Sequence, residues 1–237
     1  FRLSGDIWAF NLLCERVNPL AACTPIFCSH PQVWRDAKRR DLYSVFVILW
    51  INRHFVPSHC TTNWNLMYRI AYLCSNLRRT GPTRQLLNIL NHIDLRLFEP
   101  KVITLSEESS DSIYNEFVDQ GIEIECLRLS RSMGWFAGSQ KLGTWLRHSK
   151  TNLLHTQGIR ADGLAVGVRE QVKHLCTMRN DPKVDYPMKF GKVLGGLMSL
   201  RHLQILKRLN VVACSLHVED QLRSYGISSV CIPNGVE

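Results

Sequence analysis

From residue 67 onward the sequence predicts an α/β fold, a mostly parallel sheet with helices on both faces. Two observations predict it. Short apolar runs recur seven times, and the segments between them place their apolar residues at helical spacing. Helix-starting and helix-stopping residues, such as Pro82 and Gly121, bracket those segments. Strands alternating with helices build βαβ units with right-handed crossovers, and such sheets bind ligands at the carboxyl ends of their strands.

The first strand is "RIAYLCS", residues 69–75. The next segment, 82–98, starts at Pro82 and aligns Leu86, Leu90, Ile93 and Leu97 on one helical face. "KVITL" (101–105) is the second strand, followed by a helix over 109–121 that Gly121 ends. "IEIECL" (122–127) and "NLLHT" (152–156) are the third and fourth strands, separated by a helix within 132–149. A helix near 160–170 leads to "VKHLCTM" (172–178), and a long helix from Pro187 to Leu209 leads to "VVACS" (211–215). A helix over 217–225 and the strand "SSVCI" (228–232) complete the pattern, and Pro233, Asn234 and Gly235 form a turn.

Residues 1–66 lack this rhythm and hold four of the six tryptophans and four of the nine cysteines. They are expected to be an extension, either non-native and poorly ordered or an accessory helix or hairpin on the sheet edge. Met67 stands where a start codon would fall. The second domain is then 67–237. The chain carries a net charge of +9, spread as +3 over residues 1–66 and +6 over the rest. A dispersed excess fits an anionic substrate or membrane surface. No basic helix with interleaved aromatics appears, so nucleic acid is not an expected partner. The apolar run "VFVILWI" is too short to span a bilayer, and Phe1–Phe10 lacks the pattern of a secretory signal. Cys74, Cys126, Cys176, Cys214 and Cys231 sit in or beside apolar runs, as thiols of a reducing cytosol do. No CxxC pair occurs, so no structural metal is expected.

Three post-strand segments carry candidate chemistry. In "SNLRRTGPTR", Gly81 and Pro82 open a helix whose N-terminus favours an anion, while the absence of GxGxxG disfavours a nicotinamide cofactor. In "HTQGIRADG", His155 ends a strand and Arg160 and Asp162 follow within a turn. In "TMRNDPKVDYPMKFGK", Arg179, Asn180, Asp185, Tyr186 and Lys189 fall in one loop, where Arg179 and Lys189 are placed to hold phosphate oxygens.

Taken in series, "YLCSNLRRTGPTRQLLNILNHI", "HTQGIRADGLA", "CTMRNDPKVDYPMKFGK", "VVACSLHVEDQL" and "IPNGVE" resemble the N-terminal domain of family 4 glycosyltransferases. The segment "DYPMKFGK" resembles a branch seen among bacterial enzymes that build polysaccharides. The resemblance implies a Rossmann-like sheet forming one half of a GT-B fold, and a retaining transfer from a nucleotide-sugar donor, with no permanently bound cofactor. It departs from the family in having one glycine, Gly81 with Pro82, where many members have two. It also has Arg179 where many have His.

By this resemblance His155 and Arg179 are candidate catalytic residues. Gly81, Pro82, Arg160, Asp162, Asn180, Asp185, Tyr186 and Lys189 are candidate substrate contacts. Asn234 and Gly235 are the hinge to a C-terminal Rossmann-like domain that carries most of the donor site and is absent from this chain. The implied acceptor is a glycan or lipid-linked sugar. The implied location is the cytoplasm, peripheral to the inner face of the membrane, with Arg78, Arg79, Arg84 and Arg96 as a basic cluster. The rival expectation is a non-catalytic module that binds an anionic ligand or lipid headgroup.

Overall fold

The computed structural model describes residues 67–130 and 135–234. Residues 1–66 and Gly235 lie outside the described residues, and with them the expectations placed there. Seven strands form one sheet in the order β3-β2-β1-β4-β5-β6-β7, and every neighbouring pair is parallel. In chain order the elements are β1 (Tyr68–Cys74), α1 (Gly81–His92), β2 (Phe98–Thr104), α2 (Tyr114–Asp119), β3 (Glu123–Cys126), α3 (Trp135–His148) and β4 (Leu153–Thr156). They continue with α4 (Ile159–Val166), β5 (Lys173–Met178), α5 (Pro182–Phe190), α6 (Lys192–Leu206), β6 (Val211–Ala213), α7 (Leu216–Ser224) and β7 (Ser229–Cys231).

The central strands are apolar without alternation because both of their faces are covered. On one face Ile70, Tyr72, Phe98 and Val102 pack with Leu86, Leu90 and Phe117 of α1 and α2. On the other, Ala71, Leu73, Ile103 and Leu154 meet Leu142 and Leu146 of α3 and Ala161 and Leu164 of α4. Further along that face, Cys176, Met178 and Val211 pack on Leu203 and Leu206 of α6 and on Val218 and Leu222 of α7. β3 is an edge strand among the described elements and carries exposed Glu123 and Glu125, the charge that keeps an edge from recruiting another strand.

Two element boundaries differ from expectation, each for a local reason. The helix expected over 82–98 ends at His92. The Asp94 carboxylate accepts from the backbone N–H of Arg96 at 3.0 Å, a side-chain turn that competes with helix. β2 therefore starts earlier, at Phe98, and runs through Pro100. A proline is tolerated there because β3 begins pairing only at Lys101.

The long helix expected from Pro187 to Leu209 is two helices. Gly191, at φ 81° and ψ 164°, is both the C-cap of α5 and the N-cap of α6. That conformation is nearly closed to residues with a Cβ. A Cβ added at Gly191 would meet nothing within 4 Å, so replacing it strains the backbone alone. Gly191→Ala is expected to cost about 1–3 kcal/mol in urea unfolding. An unchanged midpoint would show that the hairpin relaxes without strain.

Candidate active-site cleft

The strand order reverses between β1 and β4, and such a switch point opens a crevice beyond the strand ends. A hollow of about 260 Å³ lies there. Its walls are the loop after β1 (Ser75, Asn76, Arg78), the start of α1 (Thr80, Pro82, Thr83), Gln157 and Gly158 after β4, and Met178–Asn180 after β5. Asp185 and Tyr186 of α5 and His202 of α6 close the far side. A second hollow, of about 270 Å³, sits at the opposite end of the sheet around Lys173, His174 and Asn210. Strand carboxyl ends, not amino ends, gather the loops and helix starts that bind ligands in such sheets, so the first hollow is the candidate site.

Two helix starts open on it. α1 has no side-chain cap on its backbone, because Thr80 Oγ1 bonds Thr83 Oγ1 at 2.9 Å instead. α4 starts after Gly158, at φ 92°, also without a side-chain cap. Uncapped N–H groups at a helix start carry a partial positive charge. The guanidinium of Arg179 adds a full charge to the same walls, which Arg78 also lines while paired with Asp111 at 2.9 Å. Arg179 also reaches the end of the chain, since its Nη1 donates to Asn234 Oδ1 at 2.7 Å. The Nε2 amide nitrogen of Gln157 is buried with no partner among the described residues, which leaves a donor for a ligand.

Under the hollow runs a chain of buried polar groups. Asp162 is fully buried and accepts from Thr156 Oγ1 at 2.5 Å. Its other oxygen accepts from His202 Nε2 at 2.8 Å. With that proton on Nε2, His202 Nδ1 accepts from the Tyr186 hydroxyl at 2.8 Å. Thr156, its proton committed to Asp162, accepts from His174 Nε2 at 2.9 Å. His174 Nδ1 is then a bare lone pair, and no partner meets it among the described residues. Burial pushes His174 down to about 4 against a partial upward pull from Asp162, so the ring is neutral. Burial first, then Asp162 and Asp185, raises the Tyr186 phenol and keeps it protonated.

Of the residues expected at the site, Pro82, Arg179, Asn180, Asp185 and Tyr186 line the hollow. His155 does not. It lies beneath the floor at 2% exposure, bonded through Nε2 to Thr177 Oγ1 at 2.8 Å. Burial, then Arg179 and His174, lower its pKa to about 3. Asp162 is likewise under the wall rather than in it. Arg160 points elsewhere, donating to Ser106 Oγ at 2.9 Å and to the Leu129 carbonyl at 3.3 Å beyond β2.

Lys189 is exposed and pairs with Asp185 at 2.9 Å. Asp185, Tyr186 and Lys189 are not in a loop, because Pro182 starts α5 and Asp181 caps it by accepting from Lys183 N. Gly81 has open space around its α-carbon and an ordinary backbone conformation, so the close approach expected of it is not imposed by this geometry. The four arginines expected as a basic cluster each face a carboxylate: Arg78 to Asp111, Arg79 and Arg84 to Glu116, and Arg96 to Asp94.

Sequence reasoning missed Gln157, Thr177 and His202. Gln157 was findable, since it directly follows a strand end. His202 was not, because it looks like one more inward residue of a helix.

The fold defines a class. The chain shares a Rossmann-like α/β architecture with glycosyltransferases and sugar-nucleotide epimerases of known structure. It matches a glycosyltransferase from Rickettsia africae with a TM-score of 0.52 and 15% identity over 72% of this chain and 44% of that one. It matches the Staphylococcus aureus MnaA–UDP structure with a TM-score of 0.53 and 13% identity, over 71% and 45%. A third match, a UDP-N-acetylglucosamine 2-epimerase from Listeria monocytogenes, has a TM-score of 0.50 and 7% identity, over 68% and 43%. The chain spans less than half the length of each. No family model and no curated protein matches the sequence.

Proposed function

We propose that this chain is the acceptor-holding N-terminal half of a retaining, nucleotide-sugar-dependent glycosyltransferase of the family 4 kind, acting in polysaccharide or cell-surface glycan synthesis. The observation that carries this is the hollow at the β1–β4 switch point, where two uncapped helix starts and Arg179 converge. That electrostatic setting favours a phosphate-bearing ligand, such as a lipid-linked sugar or the diphosphate of a donor.

The hollow supplies binding groups rather than a free base. Its imidazole, His202, has both nitrogens engaged, and its carboxylate, Asp185, is paired with Lys189. The charge on a departing diphosphate is then stabilised mainly by a second Rossmann-like domain, joined near Asn234 and Gly235. The contact from Arg179 to Asn234 couples the acceptor wall to that junction. The cysteines among the described residues are all free thiols, in keeping with a cytoplasmic setting.

A donor domain of a family 4 glycosyltransferase, fused after Glu237, tests this by transfer of labelled sugar from a UDP-sugar. Transfer is expected from the fusion and not from the chain alone. Arg179→Ala is expected to lower it at least about tenfold, the scale of one charge-assisted contact. Turnover by the unfused chain would refute the division of labour. An inactive fusion that still binds pyrophosphate would point to a non-catalytic binding module.

A further inference from the structure

The second hollow, of about 270 Å³ at the amino ends of β5 and β6, takes no part in the cleft. It lies just beyond the ends of α4 and α6, and its lining sets Arg169, Lys173 and Arg208 against one carboxylate, Glu170. Glu170 faces its neighbour Arg169 at 3.0 Å, so the lining keeps a net positive charge from Lys173 and Arg208. Cations behind helix ends are ordinary by themselves, because they offset the partial negative charge of the last carbonyls. Two half charges set against two full ones still leave this hollow positive.

His174 separates it from a merely basic surface. The residue is 4% exposed and lines the hollow, and its Nδ1 is buried with no partner among the described residues. The state of that nitrogen is fixed from the other side of the ring. Thr156 gives its proton to Asp162 and so accepts from His174 Nε2, which leaves Nδ1 as a bare lone pair. A buried acceptor without a donor is costly, and a proton carried in by a ligand removes the cost.

The two demands narrow the ligand. The cations call for an anion, and the lone pair calls for a proton on that same anion. Sulfate is fully ionised at neutral pH and has no proton to give. A phosphate monoester has mostly lost its second proton there, at a pKa of about 6. Hydrogen phosphate keeps one. We propose that this hollow binds hydrogen phosphate, with Lys173 and Arg208 on its charged oxygens and its remaining proton donated to His174 Nδ1. The proposal rests on the amino ends of the strands and stands or falls apart from the sugar-transfer reading.

Titration of the full chain with phosphate, sulfate and methyl phosphate at about pH 7.5, followed by calorimetry and by the ring signals of ¹⁵N-labelled histidine, tests it. Phosphate is expected to bind at least about tenfold more tightly than either other anion, the scale of one hydrogen bond to a charged group. It is also expected to shift the His174 Nδ1 signal upfield as the lone pair gains a donor. The pair Lys173→Gln with Arg208→Gln is expected to weaken that response at least about tenfold, and Arg179→Ala to leave it unchanged. Lys173 is half-buried and Arg208 exposed, and unchanged circular dichroism confirms that the pair folds. A His174 signal unmoved by phosphate would mean that water meets Nδ1, and it would overturn the proposal. So would sulfate binding as tight as phosphate binding, or a response lost in Arg179→Ala and kept in the glutamine pair. Methyl phosphate binding as tightly as phosphate would make a phosphomonoester the occupant, and the assignment to free phosphate would fall.

Discussion

Asp162→Ala is expected to lower the unfolding free energy by about 3–5 kcal/mol, the range for removing one partner of a buried charged hydrogen-bonded pair. Asp162 is completely buried and holds Thr156 on β4 and His202 on α6 with its two oxygens. Removing the carboxylate strands a buried hydroxyl and a buried imidazole N–H together, and it opens a void where water gains no easy entry. Asp162→Asn separates the terms. The amide keeps the shape and still accepts from Thr156, but its NH₂ faces the N–H of His202. Turning the imidazole to its other tautomer relieves that clash only by presenting a donor to Tyr186, whose hydroxyl then has to turn. The amide variant is therefore expected to lose about 1–3 kcal/mol, less than the alanine. Urea midpoints of the three proteins decide the matter, and an alanine variant within about 1 kcal/mol of the parent would mean that water replaces the carboxylate.

The same network shows what a sequence can and cannot disclose. The strands were legible because a parallel sheet covered on both faces needs continuous apolar runs such as Ile70–Leu73. Their alternation with helical spacing was enough to give the architecture. Boundaries failed where a single residue's backbone chemistry overrode periodicity, at the Asp94 turn and at Gly191. The apolar residues from Met188 to Leu200 fall within the single long helix expected from Pro187 to Leu209. In the fold they are an inward face and an outward ridge that the spacing alone does not separate, because α6 is apolar on both sides.

The candidate site was legible as a set of loops and not as a set of side chains. Topology places ligands after β1, β4 and β5, and the hollow is there. Which residue of each loop reaches it depends on facing. His155 and Thr156 are neighbours on a strand, so their side chains leave opposite sides of the sheet, and neither enters the cleft. Arg160 and Asp162 are two apart at the start of one helix and point to different structures, β2–β3 loops and β4. His202 joins the network across forty residues from Asp162, a separation that no motif encodes.

Acidification supplies the second large expected effect. His155 and His174 titrate near 6.5 when unfolded, but burial holds them neutral in the native protein down to about pH 3 and 4 respectively. Between those values and 6.5 the unfolded chain binds more protons than the native one, so stability is full above pH 6.5 and falls as pH drops below it. From pH 7 to 4.5 each histidine is expected to contribute a loss on the order of 2–3 kcal/mol. The depressed carboxyls of Asp94 and Asp111 act in a separate, more acidic window, below their ordinary value of 3.8. Urea unfolding at pH 7 and 4.5 measures the loss. In His155→Gln, which keeps a hydrogen bond to Thr177 within reach and removes the titration, the pH-dependent part is expected to shrink by about half. A flat profile across this window would mean that the rings take up protons while folded, and hence that water reaches them. A sealed, neutral His155 has a consequence for the cleft above it. It holds the Thr177 hydroxyl and keeps a cation away from Arg179, so the positive charge of the hollow comes from Arg179 and the helix starts rather than from an imidazolium.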